Sequence, residues 1–394
     1  MAKNKNLHSA KVNKNDEFYT QLSDIENELK HYREHFKDKT VFCNCDDPEW
    51  SNFWRFFNLN FDFLGLKRLL ATHYETEKQS YMLEMYRDDS GVHTEIRTLK
   101  QNGDFRSPEC LELLEQADIV VTNPPFSLFR DYVNLLVQKK KQFLIIGNKN
   151  AITYKEIFPL IKNNDTWLGY NHGKGTMLFS TPAKEIKSVP SYWYTNLEHS
   201  KRNEEMILYR EFNEVDYPRY DNYLAWNVDK VVDIPQDDEI IVTVNTGELE
   251  KYKEVYPDLE ILEANKVKIK RPIFGVPITF LNSYNPKQFE IVSFRKGEDG
   301  KDLAFTRERE FNRTFESWFA GNENGINRLW TNEQSERYKS EWEKQICKDS
   351  NKKKEPIDVC YPSSTNLCGV IKNAEGSING ENKYARILIR RKLF

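Results

Sequence analysis

Asp118-Ile-Val-Val-Thr122 runs without a break into Asn123-Pro-Pro-Phe126, and this junction decides the fold. A short run of β-branched residues reads as a strand buried on both faces. The prolines end it, because neither can donate to a strand ladder. Upstream, Lys39-Thr-Val-Phe-Cys43 is a second such strand, ending in the polar loop Asn44-Cys-Asp-Asp-Pro48. Next come a helical stretch rich in aromatics (Phe53, Trp54, Phe56, Phe57) and a strand around Leu69–His73. A further strand is expected near Thr94–Leu99, followed by Gly103-Asp-Phe105. Downstream, Phe129, Tyr132, Val133 and Leu136 recur at helical spacing, and Gln142-Phe-Leu-Ile-Ile-Gly147 is the next strand. Nearer the start, Ser23-Asp-Ile-Glu26 has the pattern of a capping box, with Ile25 and Leu29 on one helical face. Strands alternating with helices predict an α/β fold built on a parallel, doubly wound sheet.

Ligands of such sheets sit outside the carboxyl ends of the strands. Asp46, Asp47, Asp104 and Asn123 each follow a predicted strand end, so they are expected on one rim. Their convergence weighs more than any single residue, since each acid alone reads more readily as surface charge.

Composition narrows the function. The chain has 394 residues, of which 39% are hydrophobic and 30% charged, enough for two domains with their own cores. Mean hydropathy is -0.75 and no apolar run is long enough to span a bilayer. The start, Met1-Ala-Lys-Asn-Lys-Asn, lacks the apolar segment of a secretory signal, so a cytoplasmic protein without a membrane partner is expected. Six cysteines form no C-x-x-C pair and seven histidines show no ligand spacing, so no metal is expected. Gly173-Lys-Gly-Thr176 lacks the spacing of a phosphate loop and reads as a turn. Pro257-Asp258 with Glu260 and Lys266 lacks the spacing of a nuclease metal site.

A net charge of -3, from 58 basic and 61 acidic residues, excludes a protein that coats nucleic acid by bulk charge. It leaves room for local stripes. One is Lys266, Lys268, Lys270 and Arg271; another is Lys383, Arg386, Arg390, Arg391 and Lys392. Either also reads as a solvated face.

Asn123-Pro-Pro-Phe126 has a chemical logic after a buried strand. An exocyclic amine on a planar base is a poor nucleophile, because its lone pair is delocalised into the ring. The Asn123 side-chain oxygen and the Pro124 carbonyl can both accept hydrogen bonds from that amine. This draws the nitrogen toward sp3 and aims its lone pair at an electrophilic methyl group. Pro124 and Pro125 fix the backbone and remove two N–H groups. Phe126 offers a stacking face, worth about 1–3 kcal/mol for a base.

With these residues in view, the chain resembles the EcoRI-type family of adenine-specific (N6) DNA methyltransferases. The resemblance is carried by Asp16-Glu-Phe-Tyr-Thr20, Phe42-Cys-Asn-Cys-Asp-Asp-Pro48 with Ser51-Asn-Phe53, and Asn123-Pro-Pro-Phe126. Trp193-Tyr-Thr-Asn-Leu197 with Lys201-Arg202, Gly275-Val-Pro-Ile-Thr-Phe280, Asn285-Pro-Lys-Gln-Phe289 and Tyr384-Ala-Arg-Ile-Leu-Ile-Arg390 extend it. It implies a Rossmann-like methyltransferase sheet with helices on both faces and S-adenosylmethionine at the rim, with no metal. Asp46 or Asp47, beside Pro48, would face the methionine end, bordered by Phe18, Tyr19 and Thr20. Glu75 would hold the ribose hydroxyls, and Asp104, beside Phe105, the adenine amine. The loop after the first strand has no G-x-G, unlike many methyltransferases, which also counts against a nicotinamide fingerprint.

The implied substrate is an adenine flipped out of double-stranded DNA. Trp193 and Tyr194 are candidates for a second stacking wall, with core packing as the alternative. Lys201, Arg202 and the two basic stripes are candidates for DNA contact. Residues 1–210 are expected to form the cofactor-binding and catalytic core, and 211–394 the target-recognition region, with a polar insertion around 320–375. Transfer to RNA or to a protein amide, and a catalytically silent DNA-binding protein of the same fold, are the competing readings. A monomer is expected, acting either beside a restriction endonuclease that shares its site or alone, as phage and solitary enzymes do.

Overall fold

The computed structural model describes residues 19–45, 47–75, 78–172, 175–181, 185–220, 224–295, 377–378, 381–382 and 386–392. Phe18, Asp46, Lys383 and the segment around 320–375 lie outside the described residues. The chain divides into two compact units, Met1–Glu204 and Glu205–Phe394.

The first unit is organised by eight strands: β1 (Thr40–Cys43), β2 (Arg68–Thr72), β3 (Tyr81–Asp88), β4 (Gly91–Thr98), β5 (Ile119–Thr122), β6 (Gln142–Asn148), β7 (Trp167–Leu168) and β8 (Ser191–Thr195). Their order in the sheet is β4-β3-β2-β1-β5-β6-β8-β7. The central four, β2-β1-β5-β6, are parallel. The flanks are not: β3 runs antiparallel to β2, β8 to β6 and β7 to β8. The expected all-parallel sheet is therefore corrected to a mixed one. Its parallel core lies where the chain is most continuously apolar, as strands buried on both faces require.

Helices α1 (Leu22–Leu29), α2 (Asn52–Leu59), α3 (Pro108–Gln116) and α4 (Phe129–Gln138) flank the sheet. Ile25, Leu29, Phe53 and Phe57 share one core cluster with Val41, Leu69, Val121 and Leu144. Phe129 of α4 instead meets Tyr194 at 5.0 Å, and Tyr194 alternates with Trp193 of that first cluster. Ser51 caps α2 by accepting from the backbone N–H of Phe53 and Trp54. The expected capping box is absent: α1 starts at Leu22 after Gln21, which places Ser23 inside the helix.

Glu28 of α1 is fully buried. Its carboxylate accepts from Tyr32 Oη at 2.9 Å and from the backbone N–H of Tyr170 and Asn171 at 2.7 Å each. Burial pushes its pKa up, against the opposing pull of these donors.

The second unit is built on β9 (Trp226–Asn227), β10 (Glu239–Thr243), β11 (Glu260–Glu263), β12 (Lys266–Lys270), β13 (Ile273–Pro277), β14 (Phe289–Arg295) and β15 (Arg386–Arg391). They form a four-stranded sheet in the order β9-β13-β15-β14 and a three-stranded one, β10-β12-β11. The basic C-terminal stretch is thus an interior strand, with Ile387, Leu388 and Ile389 buried between β13 and β14. Among the described residues no helix is long and apolar enough to cross a membrane.

Candidate active site

The carboxyl ends of β1, β2 and β5 share one rim because these strands are parallel neighbours. The hairpin β3–β4 adds a fourth. β4 returns in the direction of β2, and Tyr81, opposite Thr98, adjoins Met82, opposite Thr72. The loop Gly103–Phe105 therefore reaches the same rim although it follows an antiparallel hairpin. Gly103 has φ +75°, and a Cβ there would overlap the His73 carbonyl, so only glycine lets this loop lie against the end of β2. The Glu75 N–H donates to the Asn102 carbonyl at 3.0 Å, joining the loops after β2 and β4.

Asp47 lies at the centre of this arrangement. Its Oδ1 accepts from Tyr81 Oη at 3.0 Å and from the Glu49 N–H at 3.0 Å; its Oδ2 is 3.4 Å from His73 Nε2. Burial, and then the neighbouring Asp47 carboxylate, push the Tyr81 hydroxyl above its ordinary pKa. Asp104 is held by Arg106, which donates from its Nε at 2.9 Å and its Nη2 at 2.7 Å and keeps the carboxyl below its ordinary range. Phe105 meets the edge of Tyr132 at 4.9 Å. Tyr132 Oη donates to Asn44 Oδ1.

Tyr19 and Thr20 form a side sheet with Met177–Ser180 and Ile186–Val189. Asn52 Nδ2 donates to the Thr20 carbonyl at 2.7 Å, which ties this segment to the start of α2. Pro48 is buried beside the loop after β1.

Asn123 leaves the end of β5 with 8% of its surface exposed, Pro124 is buried, and Pro125 and Phe126 are half-buried. Phe126 stands edge-on to Phe179 at 6.3 Å. The Cys45 N–H donates to Thr122 Oγ1 at 3.2 Å, so the loop after β1 and the strand carrying Asn123 are in direct contact.

Several expected DNA contacts have other duties. Trp193, 2% exposed, packs edge-on against Phe53, and the buried Tyr194 donates to the Asn148 carbonyl. Both side chains are buried in the core. Arg202 is buried over the Trp167 ring at 3.5 Å and donates to Glu198 and Asn164. Lys201 donates to the Tyr170 carbonyl at 3.2 Å.

In the second unit, Lys266 pairs with Glu263 at 3.5 Å and Lys268 with Glu239 at 2.8 Å. Arg386 is buried on Asn227 and Asp229. Arg391 pairs with Asp238 at 3.0 Å and donates to the Gln236 carbonyl. Lys270 is exposed and Arg390 half-buried, and neither has an ion-pair partner among the described residues.

A family model described as "Adenine-specific methyltransferase EcoRI" matches residues 6–271 and 256–392. The chain belongs to this family. The EcoRI-type methyltransferases it is similar to include the Type II methyltransferase M.EcoRI of Escherichia coli, 42% identical over 335 residues, which are 77% of this chain and 93% of that one. M.MgeORF184P of Mycoplasma genitalium is 37% identical over 73% of this chain and 85% of its own length. M.MpnI of Mycoplasma pneumoniae is 36% identical over 73% and 84%. No solved structure matches the chain.

The rim fits the cofactor of a methyltransferase. Thr20 Oγ1, Asn44 Nδ2 and His73 Nδ1 are buried polar atoms without a hydrogen-bond partner among the described residues. With Asp47, Glu75 and Asp104 they are groups that could offer both donors and acceptors to S-adenosylmethionine. No cluster of three His, Cys, Asp or Glu among the described residues could hold a metal ion. His73, Tyr81, Asn44 and Tyr132 were not expected at the site. His73 carried one signal, its place directly after a predicted strand.

Proposed function

We propose that this adenine-specific DNA methyltransferase transfers a methyl group from S-adenosylmethionine to N6 of an adenine turned out of duplex DNA, with Asn123 as the decisive residue. The observation that carries the reading is the position of Asn123 at the end of β5, one residue beyond the Thr122–Cys45 bond to the loop after β1. The cofactor, when bound, supplies an electrophilic methyl on a sulfonium. Asp47, beside Pro48, Tyr19 and Thr20, would hold its methionine end, Glu75 the ribose hydroxyls, and Asp104 with Phe105 the adenine.

Asn123 Oδ1 and the Pro124 carbonyl accept from the two N–H groups of the target amine. That pairing localises the lone pair on nitrogen, and the rigid Pro124-Pro125 backbone keeps competing donors away. The half-buried Phe126 offers the base a stacking face in place of its lost neighbours. Attack needs no prior general base, because the amine is neutral and sheds its proton during or after transfer. The second unit is assigned to target recognition, with Lys270 and Arg390 as its phosphate contacts.

Tritium transfer from labelled cofactor to DNA and to RNA, followed by digestion, identifies the acceptor; N6-methyladenine in DNA is expected. Asn123→Ala should reduce turnover by orders of magnitude while the chain still binds cofactor. Near wild-type turnover in that variant would sink the mechanism.

A further inference from the structure

The hairpin β3–β4 flanks the parallel core on its β2 side, and its first residue sends a hydroxyl to the loop after β1. Tyr81 Oη donates to Asp47 Oδ1 at 3.0 Å, while His73 Nε2 stands 3.4 Å from Oδ2. The two rings lie 5.0 Å apart, so each also braces the other. The Ser80 hydroxyl donates to the His73 carbonyl, which fixes the turn between β2 and the hairpin. Asp47 thus has Oδ1 occupied twice, by Tyr81 and by the Glu49 N–H, while Oδ2 meets His73 Nε2 at the longer distance of 3.4 Å. A carboxylate oxygen has two lone-pair sites, so Oδ2 keeps capacity for one more donor. About a fifth of the Asp47 side chain is exposed (22%), so the carboxylate is not sealed inside the fold.

We propose that Tyr81 and His73 are positioning residues that fix the Asp47 carboxylate so that its Oδ2 receives the α-ammonium group of the cofactor. The proposal rests on the reading of Asp47 as a cofactor residue and adds a function for the hairpin, which delivers the tyrosine. Without the hydroxyl, the carboxylate can turn about its χ angles, and binding must then order it.

The test is a double-substitution cycle on the full chain, read by calorimetric titration with S-adenosylhomocysteine, which keeps the α-ammonium and needs no turnover. Tyr81→Phe keeps the ring against His73 and should raise the dissociation constant about tenfold, the size of one charge-assisted hydrogen bond. In an Asp47→Asn background the same change should have little further effect, because the group it positions has gone. His73→Ala should behave like Tyr81→Phe, and His73→Gln, which can still donate, should recover part of the loss. Melting temperature and DNA affinity without cofactor should stay at wild-type values for Tyr81→Phe, which separates positioning from a structural role. Independent, additive losses from Tyr81→Phe and Asp47→Asn, or unchanged affinity in Tyr81→Phe, would overturn the proposal alone. A wild-type chain that does not bind S-adenosylhomocysteine would overturn the cofactor reading itself.

Discussion

Thr122 Oγ1 accepts the backbone N–H of Cys45 at 3.2 Å, so the last residue before Asn123 is bonded to the loop that follows the first strand of the sheet. The loop after β1 and the strand that leads to Asn123 are therefore joined by a part-buried hydrogen bond. Parallel pairing makes this possible, because β1 and β5 are neighbours and end on the same side.

Thr122→Val keeps the volume and removes the acceptor. It should lower stability by about 1 kcal/mol, the net worth of one part-buried hydrogen bond. Methyl transfer should fall further than the loss of folded protein explains, because the two loops are no longer in register. Thr122→Ser should restore both. Thermal melts beside single-turnover kinetics check this, and normal transfer in Thr122→Val would refute the coupling.

Glu28 makes stability depend on pH in a stated direction. Burial raises its folded pKa above the unfolded value. Its contribution is then fully present below the ordinary glutamate range and is lost as pH rises through the raised value. The stability of the wild type relative to Glu28→Gln should therefore decline with rising pH and level off above that window. Glu28→Ala deprives three donors of their acceptor and should cost about 3 kcal/mol or more at neutral pH. Denaturant unfolding across pH 4 to 8 (about the range glutamate shifts cover) reads both. A difference independent of pH would show that Glu28 does not titrate abnormally.

The parallel core and the Asn123 loop were legible because each strand there is a continuous apolar run ending in a polar turn. The helix from Phe129 was legible for the same reason, since its four spaced apolar residues are all buried. Tyr81–Asp88 was not, because its apolar stretch Tyr81-Met-Leu83 is broken by Glu84, a charge that the fold buries in an ion pair with the half-buried Arg68. The duties of Trp193, Tyr194 and Arg202 depend on which strands and helices meet across the fold, which local pattern does not encode. The C-terminal strand depends on such pairing too: Arg386-Ile-Leu-Ile-Arg-Arg391 has charged ends, and pairing with β13 and β14 buries its middle.

That pairing gives the C-terminal strand a structural consequence. Ile387 is fully buried, and Ile387→Ala should cost about 2–4 kcal/mol through lost burial and a residual cavity. Removing residues 386–394 takes an interior strand from the sheet and should unfold the second unit, abolishing site-selective methylation. Proteolysis and calorimetry of the truncated chain check this. A truncated chain with an intact second transition would mean that β15 is dispensable.

The basic residues of the second unit should divide by their partners when DNA binding is measured against salt. A cation already paired with a carboxylate must break that pair to reach a phosphate, which cancels much of the gain. Lys268 is paired with Glu239 at 2.8 Å and Lys266 with Glu263 at 3.5 Å. Lys270 shares their face of β12 and has no ion-pair partner among the described residues, and Arg390 is in the same position on β15. Each phosphate contact contributes about 0.9 to the slope of log affinity against log salt. Lys270→Gln and Arg390→Gln should each flatten that slope by nearly this amount and weaken binding on every sequence alike. Lys268→Gln should change it much less, and Arg386→Gln should lower stability before it touches binding. Equal slope changes from Lys268→Gln and Lys270→Gln would show that the acidic partners do not screen the stripe. Unchanged slopes in all of these variants would remove the second unit's basic residues from the DNA interface.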